Sequence, residues 1–344
     1  MKLGNPKLGN LGRRLRFAGM LALISLALFA CAAHGTDAVM SASSTAGLLS
    51  EAGPTFTLKV PKHGWTVIAY GDMRFTDPAD VIDTNPAARR ALVAKIAEEK
   101  PDVLLLSGDV PYHGSNANDY AVYRQETAAW QTAGLKVFPA MGNHELKGIG
   151  GLENWWNNFP ELKGRRWYSV RFGEAYFLTV DSNLDLTPGS PQCQWVAKQL
   201  ETLPKGTRYV FVSLHHPPMA DPIVNDPSHN VRPNEDALAH QLETAAQHTK
   251  ASIVVIAGHI HAYQRFERNG VIYLVSGGGG AKPYPIARTP ADLYQDNVFP
   301  NFHYVKFVSD GGGLKATMYR LDDKGAFIPS DSFTVGAAAK GAAK

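Results

Sequence analysis

From Thr55 onward the chain alternates short apolar runs with stretches of helical spacing. Residues 65–70 (WTVIAY) have the length and content of a buried strand, and residues 85–99 place apolar positions at helical intervals behind an Asn-Pro start. Residues 102–107 and 135–141 read as strands on either side of a helical stretch at 116–132. Residues 167–171 and 175–180 alternate around Gly173, the pattern of a hairpin. A helix is expected over 191–203, a strand over 208–214, a helix over 234–248 and a strand over 252–257. Four more strands, 271–276, 302–308, 314–320 and 326–333, follow without helices between them. The first part is therefore α/β and the end β-rich. A four-layer α/β/β/α sandwich, two mixed β-sheets face to face with helices outside, buries both patterns. No linker composition interrupts residues 54–335, which read as a single domain, and 336–344 is an Ala/Gly/Lys tail.

Composition narrows the class. The 344 residues are 44% hydrophobic and 19% charged, which excludes disorder, collagen and an all-membrane protein. The net charge of +3 comes from the start of the chain: residues 1–30 hold five bases and no acid, and the rest carries 29 bases against 31 acids. A nucleic-acid partner is therefore not expected. Arg13, Arg14 and Arg16 precede an apolar run, residues 17–30, too short to span a bilayer, as in a secretory leader. Leu28-Phe29-Ala30-Cys31 is similar to a bacterial lipobox, with Phe29 larger than that pattern prefers, and Ala30-Cys31-Ala32 equally fits ordinary cleavage. Residues 1–31 are thus expected to direct export, to the periplasm, to an outer-membrane lipid anchor on Cys31, or outside the cell. Residues 32–53, rich in Ser, Ala and Gly, form a flexible tether. Under either cleavage Cys193 has no intramolecular disulfide partner.

The candidate chemistry lies where the apolar runs stop. One run leads into Gly71-Asp72, a second into Gly108-Asp109 with Tyr112 beyond, and a third into Gly142-Asn143-His144-Glu145. A fourth ends at His215-His216 and a fifth at Gly258-His259-Ile260-His261. Ligand sites in α/β sheets gather beyond the carboxyl ends of the strands, and here every such end carries a metal-ligand type. Each cluster alone is an ordinary turn or surface pair, whereas five in one order require a common purpose. Carboxylates, imidazoles and an amide oxygen suit Mn, Fe or Zn, and one carboxylate can bridge two ions about 3.5–4 Å apart. The absence of a cysteine cluster excludes a Cys-type structural zinc site.

This ordered set, over roughly residues 65–281, resembles the calcineurin-like metallophosphoesterase superfamily. Gly108-Asp109-Val110-Pro111-Tyr112, Val212-Ser213-Leu214-His215 and the run from Gly258 to Arg265 are similar to its purple acid phosphatase branch. The resemblance implies that Asp72, Asp109, Tyr112 and His261 hold a first metal, Fe(III) or else Mn or Zn. It implies that Asp109 bridges, and that Asn143, His215 and His259 hold a second, divalent Zn, Fe or Mn. His144 would be no ligand; it would stabilise charge on the phosphate and protonate the leaving oxygen. The implied reaction is hydrolysis of a phosphate ester on a phosphorylated small molecule, with a metal-bound hydroxide attacking phosphorus. A phosphodiesterase or nucleotide pyrophosphatase with the same metals, and a non-catalytic metal- or phosphate-binding lipoprotein, are the alternatives.

The sequence departs from that pattern. Asp72-Met73-Arg74 stands where many superfamily members have Asp-x-His, and the purple branch has glycine in the place of Arg74. The large purple enzymes also carry an N-terminal β-domain, for which about ten residues between tether and first strand leave no room. Arg74 suits a phosphate oxygen or an ion pair with Asp77 or Asp80. His113 reads as a substrate contact or plain surface, and His216 as a neighbour of the ligands facing substrate. Trp155 and Trp156 line the mouth or belong to the core. Gly277–Gly280 is close-packed backbone, since no P-loop Lys-Ser/Thr follows. His229 has no assigned chemistry.

Overall fold

The computed structural model describes residues 53–62 and 64–336. The leader, Cys31, nearly all of the tether and most of the tail lie outside the described residues. Strands β2 (Trp65–Tyr70), β3 (Val103–Leu106) and β4 (Val137–Pro139) run parallel and form one side of a six-stranded sheet. β11 (His303–Ser309), β12 (Leu314–Leu321) and β13 (Phe327–Val335) extend it antiparallel, in the order β13-β12-β11-β2-β3-β4. The second sheet has seven strands: β1 (Thr55–Thr57), β5 (Tyr168–Phe172), β6 (Ala175–Thr179), β7 (Tyr209–Ser213), β8 (Ser252–Ala257), β9 (Tyr263–Arg268) and β10 (Val271–Ser276). Their order is β1-β5-β6-β7-β8-β10-β9, with β6, β7, β8 and β10 parallel.

Period-two alternation explains the layers. In β7, Tyr209 and Phe211 face the other sheet, where Phe211 meets Phe307 edge-on at 5.1 Å and Tyr209 meets Trp65 at 6.2 Å. Val210 and Val212 face outward, into a cluster completed by helices α5 (Pro191–Glu201) and α6 (Pro233–His248). β8 repeats this, with Val254 and Ile256 inward and Ile253 and Val255 outward. On the other flank α1 (Pro86–Glu99) buries Leu92, Val93 and Ile96. It starts where Asn85 accepts the Ala88 N–H at 3.0 Å, ahead of a proline that has no donor to lose. The four-layer arrangement expected from the sequence is present.

Four elements depart from the sequence-based expectation. The helical stretch 116–132 is two helices, α2 (Ala117–Glu126) and α3 (Ala128–Thr132), separated at Thr127, whose hydroxyl donates back to the Tyr123 carbonyl. A further helix, α4 (Gly151–Asn158), starts at Gly150 and buries Trp155 and Trp156, which places both tryptophans in the core. Strands β1 and β9 were not expected; β9 forms an antiparallel hairpin with β10. Among the described residues no helix is long and apolar enough to cross a membrane.

Candidate metal centre

Asp72 follows β2, Asp109 follows β3, and Asn143 and His144 follow β4, all on the six-stranded sheet. His215 follows β7, and His259 and His261 follow β8, on the seven-stranded sheet. The carboxyl ends of both sets meet. His215 Nε2 lies 3.2 Å from Asp109 Oδ1, 3.0 Å from Asn143 Oδ1 and 3.3 Å from His259 Nδ1. His261 Nε2 lies 3.5 Å from Asp72 Oδ1. Asp72, Asp109, His215 and His261 are fully or almost fully buried.

The tautomers follow from the backbone. His215 Nδ1 faces the Ser107 carbonyl at 2.8 Å and His261 Nδ1 faces the Lys282 carbonyl at 2.6 Å. A carbonyl can only accept, so each Nδ1 carries the proton and each Nε2 presents a lone pair. The His215 lone pair therefore faces two oxygens that are themselves acceptors. His261 Nε2 is buried with no hydrogen-bond partner among the described residues. Acceptors converging on acceptors are satisfied by cations, and this mix of carboxylate, imidazole and amide oxygen fits transition-metal ions.

The local backbone brings these atoms together at a cost. Asp72, Arg74, Asp109 and His259 have φ values of 60°, 46°, 54° and 70°, the left-handed region that side chains other than glycine avoid. The glycines leave room: a Cβ on Gly142 would sit 2.3 Å from Asp109 Oδ1, and one on Gly258 would sit 2.3 Å from Asp72 Oδ2. Glu145 clamps the second and third loops. Its buried carboxylate accepts the N–H groups of Val110 at 2.7 Å, Gly142 at 2.8 Å and Asp109 at 3.1 Å.

Electrostatics divide the two carboxylates. Burial and the nearby Asp109 push the Asp72 carboxyl well above its ordinary range. Burial acts the same way on Asp109, but His215, His144 and Arg74 outweigh it and hold that carboxyl well below. Burial lowers His215, His259 and His261, so all three imidazoles are neutral near pH 7, the form that binds a metal. Glu145 is pushed up to about 8 by burial and by Asp109.

The other expected residues sit around this core. His144 is buried, its Nε2 3.7 Å from Asp109 Oδ2. The Tyr112 ring lies 5.5 Å from the His144 ring, but its hydroxyl donates to Asp83 Oδ2 at 3.0 Å, so ligation would require it to leave that partner. Arg74 pairs with Asp109, through Nε at 3.2 Å and Nη2 at 3.1 Å, and with neither Asp77 nor Asp80. The His113 ring lies 3.1 Å from Ser115 Oγ, and its backbone N–H donates to Asp119. His216 is buried, with Nδ1 2.8 Å from Ser182 Oγ and its ring 4.3 Å from that of His259.

Three residues at the site escaped the sequence reading. His229 packs at 4.8 Å from the His259 ring, Tyr284 stacks on His261 at 4.3 Å, and Lys147 Nζ lies 2.7 Å from His144 Nε2. His229 ends a one-turn 3-10 helix, Pro227–His229, and Tyr284 lies in a loop, both without periodicity or motif. Lys147 carried one usable signal, its place three residues beyond His144.

Comparison with known proteins agrees with this geometry. The family model described as calcineurin-like phosphoesterase matches residues 66–263, more than half of the chain. The protein named "Probable purple acid phosphatase 20" of Arabidopsis thaliana is 28% identical over 207 residues, covering 52% of this chain and 45% of the relative. A solved purple acid phosphatase from yellow lupin seeds, 21% identical, superposes with a TM-score of 0.64 over 80% of this chain and 54% of its own. A dimetal phosphatase from Danio rerio, 14% identical, gives 0.54 over 80% of this chain and 99% of its own. This chain spans about half the length of the two purple acid phosphatases. With the family model reaching from β2 to the start of β9, over all five clusters of candidate ligands, the chain belongs to the calcineurin-like phosphoesterase family.

Proposed function

We propose that this protein is a dinuclear-metal phosphomonoesterase of the acid-phosphatase type, acting on a phosphorylated small molecule. The observation that supports it best is the meeting of the Asp109 and Asn143 oxygens from one sheet with the His215 lone pair from the other, with His261 Nε2 buried and unpartnered among the described residues. Asp72, Asp109 and His261 would hold the first ion, Fe(III) or else Mn or Zn, with Tyr112 joining if it releases Asp83. Asn143, His215 and His259 would hold the second, divalent Zn, Fe or Mn, with Asp109 shared. When bound, such a pair supplies a water of lowered pKa and positive charge for the transferring phosphoryl group.

The chain's own residues do the rest. The carbonyls of Ser107 and Lys282 fix which imidazole nitrogen faces the centre. His144 is held through Nδ1 by the Tyr112 carbonyl and accepts at Nε2 from Lys147 Nζ at 2.7 Å, so the proton this pair can offer a leaving oxygen is carried by the lysine. His216 and His229, which pack against His259, are candidate substrate contacts, and His113 remains one from its place in the loop after Asp109. The leader read from residues 1–31 implies that this chemistry takes place after export.

Turnover of an aryl phosphate against the matching diester, with Mn(II), Zn(II) and Fe titrated, tests the reading. Metal-dependent cleavage faster for the monoester is expected. Asp109→Asn, which replaces the shared carboxylate by a neutral, weaker ligand, should lose both metals and more than about a hundredfold of activity. Full metal content with near-normal turnover in that variant would overturn the assignment.

A further inference from the structure

Arg74 is built into the centre rather than placed at its rim. Its side chain is 11% exposed, and both Nε and Nη2 contact the same oxygen, Asp109 Oδ2. Its backbone is locked on both sides: the N–H donates to the Asp109 carbonyl at 2.9 Å, and its own carbonyl accepts from Arg89 Nη1 at 3.2 Å. Arg89 is itself fully buried and pairs with Glu126 at 2.9 Å. A non-glycine residue held at a φ of 46° by so many contacts points to a placed guanidinium.

The two oxygens of Asp109 are thereby assigned to different neighbours. Oδ1 faces His215 Nε2 at 3.2 Å, on the side where Asn143 and His259 converge. Oδ1 also accepts the His144 N–H at 3.0 Å, so Oδ2 is the oxygen left for an ion beside Asp72 and His261, and it carries the arginine, with His144 Nε2 3.7 Å away. A fixed positive charge on that oxygen repels a cation and competes for the same lone pairs.

Building on the metal-centre reading above, we infer that Arg74 makes the two cation positions unequal. Its guanidinium on Asp109 Oδ2 weakens the position beside Asp72 and His261, so the ion beside His215 and His259 is held more tightly and fills first. Arg74 is thus a positioning residue that sets how much free metal the full centre requires.

The experiment is a Mn(II) titration of the chelator-stripped protein by calorimetry, with metal counted after gel filtration, in wild type, Arg74→Gln, Arg74→Gly and Arg74→Lys. Glycine accepts the left-handed backbone without strain, so Arg74→Gly guards against a variant that fails to fold. Wild type should retain one ion through gel filtration, with the second step weaker by roughly 10–100-fold. The Gln and Gly variants should strengthen the weaker step and leave the tighter one in place, whereas Lys, which keeps the charge, should preserve the gap. His261→Ala should delete the weaker step and His215→Ala the tighter one. Equal affinities in wild type, an unchanged gap in both Gln and Gly, a gap closed by Lys, or the opposite assignment of the steps by the two histidine variants would overturn the role of Arg74. A wild type that holds no ion at all would overturn the metallohydrolase reading together with it.

Discussion

His144 and Lys147 show how one side chain is prepared by its neighbours. Burial, with Arg74 and Lys147 adding positive charge, pushes the His144 imidazole down to about 4 although Asp109 pulls the other way. Nδ1 is committed to the Tyr112 carbonyl, so near neutral pH the ring is uncharged and Nε2 accepts from Lys147. The pair carries one positive charge, on the lysine, beside the bridging carboxylate. His144→Ala should therefore keep both metals, since no expected ligand is touched, and lower kcat by roughly 10²–10³-fold. Metal content beside single-turnover rates separates the roles: loss of metal with unchanged turnover per ion would make His144 a ligand. At this scale the sequence was informative where a residue type and a strand end coincided, as at Asp72, Asp109 and His215. It pointed to the wrong ion-pair partner for Arg74, because Asp77 and Asp80 are near in sequence while Asp109 arrives through strand pairing between β2 and β3.

Elements were legible in proportion to how strongly burial imposed a period. β7 and β8 are buried on both faces and read as continuous apolar runs, so they were found with their boundaries nearly in place. β9 lies at the edge of its sheet, and Gln264, Arg265, Glu267 and Arg268 interrupt its apolar pattern, so the His-x-His motif before it masked the strand. α4 begins at a glycine and carries two adjacent tryptophans with no cap signal, and only tertiary packing makes it a helix. The α1–β11 contact carries a prediction of its own. Glu99, the last residue of α1, accepts from the Tyr304 hydroxyl at 3.1 Å and from Lys306. Burial alone would raise its carboxyl, but Lys306, Tyr304 and Lys95 outweigh it and lower the pKa. A folded-state pKa below the unfolded one contributes stability that is complete above about pH 4.3 and fades as pH falls through the folded value. The group is partly exposed, so the contribution is under about 1 kcal/mol. Glu99→Gln should lower the melting temperature slightly at pH 7, and the difference from wild type should shrink as pH falls below about 4.3. A difference that persists unchanged at pH 3 would mean that shape, and not charge, carries the contact.

Across the whole molecule, the centre is one of the places where the two sheets are joined by polar atoms, beside the Arg265–Asp331 pair and the bond from the Tyr168 hydroxyl to the Pro139 carbonyl. Their apolar faces already pack through Phe211, Phe307, Trp65 and Tyr209, a contact that works without any ion. At the carboxyl ends, however, buried acceptors from one sheet face buried acceptors from the other: Asp109 and Asn143 against His215, and Asp72 against His261. Without a cation these groups repel, and the left-handed residues that carry them store strain that the rest of the fold must hold. Ions shared by both sheets would bind the folded chain and not the unfolded one, and so add stability by mass action. The gain is about 2.7 kcal/mol for each ion present at a hundred times its Kd. For a chain of this size that raises the unfolding midpoint by about 2 °C per kcal/mol, or about 5 °C per ion. Calorimetry of chelated wild type, titrated with Mn(II) or Zn(II), should show the midpoint rising with the logarithm of free metal. Asp109→Asn should start from a different apo midpoint, because the buried carboxylate has gone, but should barely move as metal is added. If the wild-type midpoint stayed flat at metal concentrations that saturate binding, the ions would be bound equally by folded and unfolded chains, and the centre could not be a junction between the sheets.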